Sequence, residues 1–266
     1  MTTRSVSEVT DIGAGVPVVL VNGNYQERSS WRPFAAELAS LFRVVTFDFP
    51  SQGKAPSVEE FSSVAHYAEY TTQILQQVGI KSEDAVMIGM SAGASIVRYL
   101  ACEGGHRFKT QFMFGMSPGG LPDYYRQLYG SFIDCLRGSG VAAFSRQTMF
   151  LNFSGPFFNG MPLLAEGLIA AFERMYRGRE VELEALLMLA LDDEVCDPRP
   201  GRFRSPAYFG RGEDDGTIPR ASLTDYVARC TGELLECVEI AGGHTFCLEQ
   251  PELTAAFVRA RLQALG

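Results

Sequence analysis

The chain of 266 residues is long enough to bury a sizeable core without disulfide or metal cross-links. Hydrophobic residues make up 46% of it and charged residues 20%, which is the balance of a globular protein and not of a disordered one. The net charge of −8 argues against binding to nucleic acid or to an anionic membrane surface, because both would repel the protein.

The first 120 residues alternate buried strands with amphipathic helices. Continuous apolar runs are typical of parallel strands that are covered on both faces. Such runs predict strands at residues 16–21, 43–47, 85–88 and 109–115. Apolar residues three or four positions apart predict helices between them, at 31–42, 62–78 and 92–102. Because right-handed crossovers join parallel strands, this alternation predicts a mostly parallel, doubly wound α/β sheet.

The alternation stops near Gly120. Only helical periodicity and aromatic-rich connections follow, up to about residue 193. Strands are predicted again at 206–209 and 234–240, and helices at 220–230 and 251–265. We therefore expect an α/β core formed by residues 1–120 and 200–266, with a helical cap inserted at residues 121–199. Such a cap would cover the carboxyl ends of the strands, where open α/β sheets bind ligands.

The motif G-x-S-x-G occurs twice, at residues 89–93 and 115–119. In a nucleophile elbow, the residue after the serine donates its backbone N–H to an oxyanion and begins a helix. In the second match that residue is Pro118, which has no N–H, and the glycines after it do not begin a helix. We therefore expect Ser117 only to end a strand near the pocket.

The first match has the context that an elbow needs. Ala92 has a backbone N–H and begins a predicted helix, while a predicted strand ends just before the motif. Small residues at Gly89 and Gly93 suit a tightly packed turn. Ser91 is therefore the predicted nucleophile, and the alternative is a turn of this shape without chemistry.

A serine nucleophile needs a general base, and the chain has three histidines. His66 falls on a predicted helix and His106 in a charged loop, so both are expected at the surface or in supporting positions. His244 follows the last predicted strand in the sequence A-G-G-H-T-F. This loop would place it above the strand ends, and we predict that His244 is the base.

Three neighbouring carboxylates follow the strand before that one, namely Glu213, Asp214 and Asp215. The spacing G-x-x-D-x-x-x-P selects Asp215 as the triad acid, with Asp214 as the alternative. A second oxyanion donor is expected from the loop after the first buried strand. We predict the backbone N–H of Asn24 for this role, beside that of Ala92, although N-G-N is also an ordinary turn sequence.

The elbow, the oxyanion loop and the order Ser91, Asp215, His244 together resemble the α/β-hydrolase superfamily. The likeness covers the core segments and not the cap. The family commonly has His-Gly after the first central strand, where this chain has Asn22-Gly23, a departure that removes a mainly structural histidine. The resemblance implies a serine triad enzyme that needs no cofactor and no metal ion.

A narrower likeness connects the chain to the rhamnolipid-precursor acyltransferase family. Its residues are 21–23 (V-N-G), 47–53 (F-D-F-P-S-Q-G) and 189–193 (L-A-L-D-D). The elbow departs from that family, in which a tryptophan is expected after the serine. The likeness implies β-hydroxyacyl chains taken from acyl carrier protein and joined to a hydroxyl acceptor.

We therefore expect acyl transfer through Ser91, from an ester or thioester with an apolar acyl group, to water or to a hydroxyl. Many aromatic residues of the cap are candidates for an acyl tunnel, or else form the cap's own core: Phe132, Phe144, Phe150, Phe153, Phe157, Phe158, Tyr124, Tyr125 and Tyr129. Arg126, Arg137 and Arg146 are candidates for a basic mouth that receives a carrier protein. The alternatives are an esterase, thioesterase or lactonase that uses water, a cofactor-independent lyase or oxygenase, and a non-catalytic ligand-binding protein.

The six cysteines are scattered without a C-x-x-C pair, so the sequence does not predict a zinc site. Scattered thiols are typical of a reducing compartment. The N-terminal residues lack the apolar run of a signal peptide, and no apolar stretch of about 18 residues predicts a membrane span. We therefore expect a cytoplasmic protein, and the sequence leaves its oligomeric state open.

Overall fold

The structure is a computed structural model and describes residues 8–57, 61 and 63–265. One seven-stranded sheet lies at its centre, in the order β1-β3-β2-β4-β5-β6-β7. The strands are β1 Val9–Ile12, β2 Pro17–Val21, β3 Arg43–Phe47, β4 Val86–Met90, β5 Thr110–Phe114, β6 Ala207–Gly212 and β7 Leu235–Ile240. Only β1 at the edge runs antiparallel to its neighbour. The predicted α/β class and the mostly parallel sheet are confirmed.

Helices connect the strands and cover both faces of the sheet. Those of the α/β part are α1 Arg32–Ala39, α2 Val64–Gln77, α3 Ala92–Cys102, α9 Arg220–Arg229, α10 Phe246–Glu249 and α11 Pro251–Ala264. Those between β5 and β6 are α4 Pro122–Asn152, α5 Gly155–Gly160, α6 Pro162–Tyr176, α7 Glu180–Leu189 and α8 Asp193–Cys196. None of the helices in these described ranges is long and apolar enough to cross a membrane.

The predicted elements agree closely with those observed. Each predicted strand is present, and no strand end moves by more than three residues. The predicted helix at 62–78 is α2, while its first residue, Ser62, lies outside the described residues. Two short elements were not predicted: β1, which is four residues long and mostly exposed, and the single turn α10.

Alternating side chains of the strands build two apolar layers. On β2, Val19 and Val21 belong to the layer under α2, α3 and α9, whereas Val18 and Leu20 belong to the layer under α1 and α11. All four side chains are fully buried. Each such side chain contributes about 1.5–3 kcal/mol when it is removed from water. This two-sided burial is why the central strands have no polar alternation.

The helices between β5 and β6 have an apolar core of their own. Buried residues of α4, α6 and α7 form it: Phe132, Ile133, Leu136, Val141, Phe144, Phe172, Tyr176, Leu183, Leu186 and Leu187. Helix α4 is interrupted at Gly140, whose φ of 77° is not helical. Tyr25, from the loop after β2, packs edge-on against Phe144 and Phe172. These helices therefore form a cap that is docked on the carboxyl ends of the strands.

Candidate active site

Ser91 lies in a sharp turn between β4 and α3 and has φ 54° and ψ −121°. The turn is crowded on both sides of the serine. A side chain on Gly89 would place its Cβ 2.3 Å from the Gly93 carbonyl oxygen, and one on Gly93 would lie 2.3 Å from the Val21 carbonyl oxygen. Both positions therefore require glycine. The geometry is that of the elbow predicted from the sequence, and backbone strain of this kind is typical of functional sites.

The structure brings Asp215 and His244 together at the ends of β6 and β7. The His244 Nδ1 atom lies 2.9 Å from Asp215 Oδ2, and the side chains are 7% and 0% exposed. His244 and Ser91 line the same cavity. The three predicted triad residues therefore all lie beyond the carboxyl ends of the strands β4, β6 and β7, which is where a serine triad would require them.

Thr217, which the sequence analysis did not identify, contacts both partners of this pair. Its hydroxyl lies 2.7 Å from Asp215 Oδ1 and 2.9 Å from His244 Nδ1. A hydroxyl has one proton, so when it donates to the carboxylate its oxygen accepts from the imidazole N–H. The Asp215 Oδ1 atom also accepts the backbone N–H groups of Thr217 and Ile218, at 2.8 and 3.0 Å.

This environment determines the charge of the acid. Burial alone would raise the pKa of Asp215, but the charge of His244 and the hydrogen bonds from His244 and Thr217 outweigh it. The pKa of Asp215 therefore lies below its ordinary value. An ionised, oriented carboxylate at this position can hold one imidazole tautomer and stabilise an imidazolium.

The loop that carries His244 is bound to the cap. The carboxylate of Glu249 accepts the backbone N–H groups of Gly243 at 2.8 Å and of Ser154 at 2.9 Å. The backbone N–H of Thr245 donates to the Asn152 carbonyl at 2.9 Å. The junction between α4 and α5 thus holds the His244 loop in place through contacts that no local sequence pattern indicates.

Both predicted oxyanion donors lie near Ser91, Ala92 as the next residue and Asn24 in the loop that lines the same cavity. The Gly23 Cα approaches so closely that a Cβ on it would be 3.4 Å from Ser91 Cβ. Within the described ranges, the backbone N–H groups of Asn24 and Ala92 have no hydrogen-bond acceptor. Two free donors beside a nucleophile are what an oxyanion hole requires. The Asn24 carboxamide is also buried, with neither atom hydrogen-bonded to any described residue.

The other serine, histidines and carboxylates considered from the sequence make no hydrogen bond to Ser91, Asp215 or His244 through their side chains, among the described residues. Ser117 is buried near Ser91, and its hydroxyl donates to the Cys196 carbonyl at 3.4 Å. His66 is exposed on α2. His106 is hydrogen-bonded to the Ser82 hydroxyl, and its ring is stacked on that of Phe108. Glu213 and Asp214 are exposed beside the buried Asp215, so geometry favours Asp215 over its neighbours as the triad acid.

A cavity of about 460 Å³ opens beside Ser91, within the range of small-molecule sites. Its floor is the loop after β2, and its walls come mainly from the cap. The apolar residues that line it include Leu128, Tyr129, Phe132, Met149, Leu151, Phe153, Leu168, Ala171, Phe172, Met175 and Leu248. Such a lining suits an apolar chain attached to a carbonyl group at Ser91.

The cap aromatics named from the sequence divide into separate groups. Tyr129, Phe132 and Phe153 line this cavity, and Tyr125 lines a narrow space on the other side of Ser91. The remaining members do not line either space: Tyr124, Phe144, Phe150, Phe157 and Phe158. Phe144 belongs to the core of the cap, and Phe150 is 66% exposed. The two alternatives left open by the sequence therefore apply to different members of the group, because helix packing turns some of these side chains toward the cavity and others elsewhere. That the cavity holds an acyl chain stays a prediction.

The arginines proposed for a basic mouth are partly neutralised. Arg126 pairs with Asp123 and Asp193, and Arg137 pairs with Glu184. Arg146 is exposed and has no ion pair with the described residues. Surface pairs of this kind contribute little stability, but they reduce the positive potential that an acidic partner would meet.

Comparisons with known proteins agree with this architecture. A model of the alpha/beta hydrolase family matches residues 18–257. A thermophilic esterase from Thermogutta terrifontis superposes with a TM-score of 0.80 at 18% identity, over 97% of this chain and 93% of that one. The enol-lactonase from Burkholderia xenovorans LB400 superposes with a TM-score of 0.82 at 17% identity, over 96% of both chains. An alpha/beta hydrolase enzyme from a Medee basin deep-sea metagenome library gives 0.83 at 19% identity, over 98% and 96%.

Proposed function

The chain belongs to the alpha/beta hydrolase family, and from this premise we propose that it is a serine enzyme that cleaves esters or thioesters of apolar acyl groups. The observation that carries the proposal is Ser91, held on a strained elbow in a cavity that His244 also lines, with the buried Asp215 paired to His244. A residue held in a sparsely populated backbone conformation of this kind costs about 1–3 kcal/mol of folding free energy, and such residues are concentrated at functional sites.

The proposed reaction begins with attack of Ser91 Oγ on the substrate carbonyl carbon while His244 Nε2 takes the hydroxyl proton. Asp215 holds the imidazole and stabilises its charged form. The N–H groups of Asn24 and Ala92 bind the tetrahedral oxyanion. His244 then gives the proton to the departing alcohol or thiol, which leaves an acyl group on Ser91. Water or a hydroxyl compound, deprotonated by His244, releases the product and restores the serine.

The cavity supports an apolar acyl chain as the bound part of the substrate. Bulky apolar residues of α4 and α6 line it. An alkyl chain bound among them would gain about 25 cal/mol of binding free energy for each Å² of apolar surface removed from water. The division into a core of residues 1–120 and 200–266 and a cap of residues 121–199 belongs to this proposal, because the cap would then select the acyl chain.

A substitution that fills the cavity tests this assignment. Leu168 lines the cavity from α6, whereas Leu163 on the same helix is 83% exposed. Leu168→Trp is expected to lower kcat/KM for p-nitrophenyl octanoate and decanoate while the acetate ester is still cleaved. Leu163→Trp is the matched control and should leave the whole chain-length series unchanged. If both variants changed kcat/KM equally for all esters, the acyl chain would not bind in this cavity.

Transfer to a hydroxyl acceptor is the second candidate, because the reacting serine lies under a cap in an apolar cavity where an organic hydroxyl can compete with water. In a more specific version of this reaction, the acyl donor is a thioester carried by acyl carrier protein. Mass spectrometry of the products from a β-hydroxyacyl thioester on acyl carrier protein decides between the two. Free acid alone indicates a thioesterase, and an ester-linked dimer indicates an acyltransferase.

Labelling by a serine-reactive phosphonate separates these reactions from the other classes. A lyase or oxygenase of this fold, or a ligand-binding protein, would not need an activated Ser91. The proposal requires rapid covalent labelling of Ser91 in the native enzyme and none in Ser91→Ala. A native protein that resists the phosphonate would favour those classes instead.

A further inference from the structure

A chain of buried hydrogen bonds connects the indole of Trp31 to the loop that contributes Asn24. Trp31 Nε1 donates to Asn22 Oδ1 at 2.8 Å, and Asn22 Nδ2 donates to Gln52 Oε1 at 2.9 Å. Gln52 Nε2 then donates to two backbone carbonyls, those of Gly23 at 2.7 Å and Asn24 at 2.8 Å. Trp31, Asn22 and Gln52 are each no more than 1% exposed.

Chemistry at both ends of this chain allows only one orientation of its two carboxamides. An indole nitrogen can only donate, so the Asn22 oxygen must face Trp31 and the Asn22 nitrogen must face Gln52. Backbone carbonyls can only accept, so the Gln52 nitrogen must face Gly23 and Asn24. The Gln52 oxygen also accepts the Phe49 N–H at 3.2 Å, which leaves its carboxamide fully hydrogen-bonded.

This orientation has a consequence for the oxyanion hole. The Gly23 carbonyl and the Asn24 N–H belong to one trans peptide, so they point in opposite directions. In the sheet, β2 lies between β3 and β4, with Gln52 beyond the end of β3 and Ser91 beyond the end of β4. A carbonyl held toward Gln52 therefore directs the Asn24 N–H toward Ser91.

We propose that Gln52 is a positioning residue that fixes the Asn24 N–H in the oxyanion hole, with Asn22 and Trp31 setting its orientation. The inference rests on the proposed function of Ser91. It also gives a role to Asn22, which occupies the position where the family commonly has histidine. The Gly23 carbonyl also accepts the Gln26 N–H, but at 3.4 Å, which is a much longer hydrogen bond than the one from Gln52. Without the Gln52 amide, the peptide between Gly23 and Asn24 is therefore held less firmly, and the donor is less well oriented for the developing charge.

Gln52→Met tests this role because it keeps the length of the side chain and removes its hydrogen bonds. Loss of an oxyanion donor costs about 10²–10³ in rate, and loss of its orientation is expected to cost about 10–100-fold in kcat. KM should change by less than about threefold, because the interaction is made in the transition state. Gln111→Met is the matched control: Gln111 is a buried glutamine near the start of the inner strand β5, whereas the site lies beyond the carboxyl ends of the strands, so this variant should retain wild-type kcat.

Gln52→Glu gives a second readout that a merely structural role would not move. The introduced carboxylate has no proton for the two carbonyls, whereas its protonated form can donate to one of them. Burial raises the pKa of a carboxyl group, so activity relative to wild type should rise as the pH falls from about 8 to about 5.5. This variant also decides the question if Gln52→Met does not fold.

The two proposals fail in different ways. A Ser91→Ala protein as active as wild type overturns the proposed function and this inference with it. An inactive Ser91→Ala together with wild-type kcat in Gln52→Met overturns only the role of Gln52. The role of Gln52 is also overturned if Gln111→Met loses as much kcat as Gln52→Met, or if the activity of Gln52→Glu relative to wild type does not change with pH.

Discussion

Replacement of Asp215 by asparagine is expected to change the protonation of His244, the proposed base, without changing the shape of the site. Oδ1 of Asp215 accepts from two backbone N–H groups and the Thr217 hydroxyl, so the oxygen of an asparagine must occupy this position. Its NH₂ group then takes the place of Oδ2 and points a proton at His244 Nδ1, 2.9 Å away. The imidazole must accept there, and its own proton moves to Nε2.

The cost of this change follows from the tautomer. With a proton on Nε2, His244 cannot take one from Ser91, and the developing imidazolium has lost its carboxylate. We expect kcat to fall by about 10⁴-fold, which corresponds to about 5.5 kcal/mol in the activation free energy. KM should change little, because Asp215 lies behind His244, away from the substrate cavity.

Initial rates with a p-nitrophenyl ester measure this effect, and Asp214→Asn is its matched control. The control makes the same chemical change one residue away, at an exposed side chain outside the hydrogen-bond network. It should retain activity within about twofold, as surface changes ordinarily do. A loss of less than about tenfold in kcat for Asp215→Asn, or an equal loss for Asp214→Asn, would contradict the role of Asp215 as the triad acid.

Thr217→Val removes a hydroxyl that contacts both Asp215 and His244, so kcat is expected to fall about 5–20-fold, whereas Thr217→Ser should keep most of it; equal rates of both variants would contradict this. Asn24→Ala should retain kcat within about threefold because the backbone N–H is the proposed donor, and chemical denaturation should show little lost stability, since the deleted amide is unpaired among the described residues. A larger kcat loss would indicate that the Asn24 side chain, and not its backbone N–H, stabilises the oxyanion. The pKa of Asp215 lies below its ordinary value, so its ionised form stabilises the fold above about pH 4 and this stabilisation is lost as the pH falls through the folded-state pKa. Urea titrations between about pH 5 and pH 2 should therefore show a smaller loss of unfolding free energy in Asp215→Asn than in wild type, and equal losses would disagree.

Local rules were enough to predict the elbow. Its requirements, a strand before the serine, a helix after it and an N–H at the next residue, can all be read within about ten residues. The same rules excluded Ser117, whose neighbour Pro118 lacks the N–H. Gly115 of that second motif has a different use, because a side chain there would place its Cβ 2.9 Å from His244 Cε1.

Contacts between distant segments account for what the sequence did not indicate. Thr217 meets His244 across 27 residues, and Gln52 meets the Gly23 carbonyl across 29. Both are polar residues in loops, and loops of that composition usually face solvent. Only the fold shows that each is buried against a catalytic candidate.

The cap was the least predictable part of the chain. Helical periodicity correctly indicated its class, but an aromatic residue on a buried helical face can point into the core of the cap or into the substrate cavity. Phe132 does line the cavity, Phe144 does not, and Phe172, which does, was not among the aromatics proposed for the tunnel. The choice depends on how the helices pack against one another, which sequence spacing does not determine.

The central claim, an acyl group carried by Ser91, is tested most directly by mass spectrometry of enzyme quenched with acid during turnover of a p-nitrophenyl ester. The account predicts a mass increase equal to the acyl group, located on the peptide that contains Ser91 and absent from Ser91→Ala, which should also be inactive. Wild-type turnover by Ser91→Ala, or an acyl group found on another residue, would contradict it.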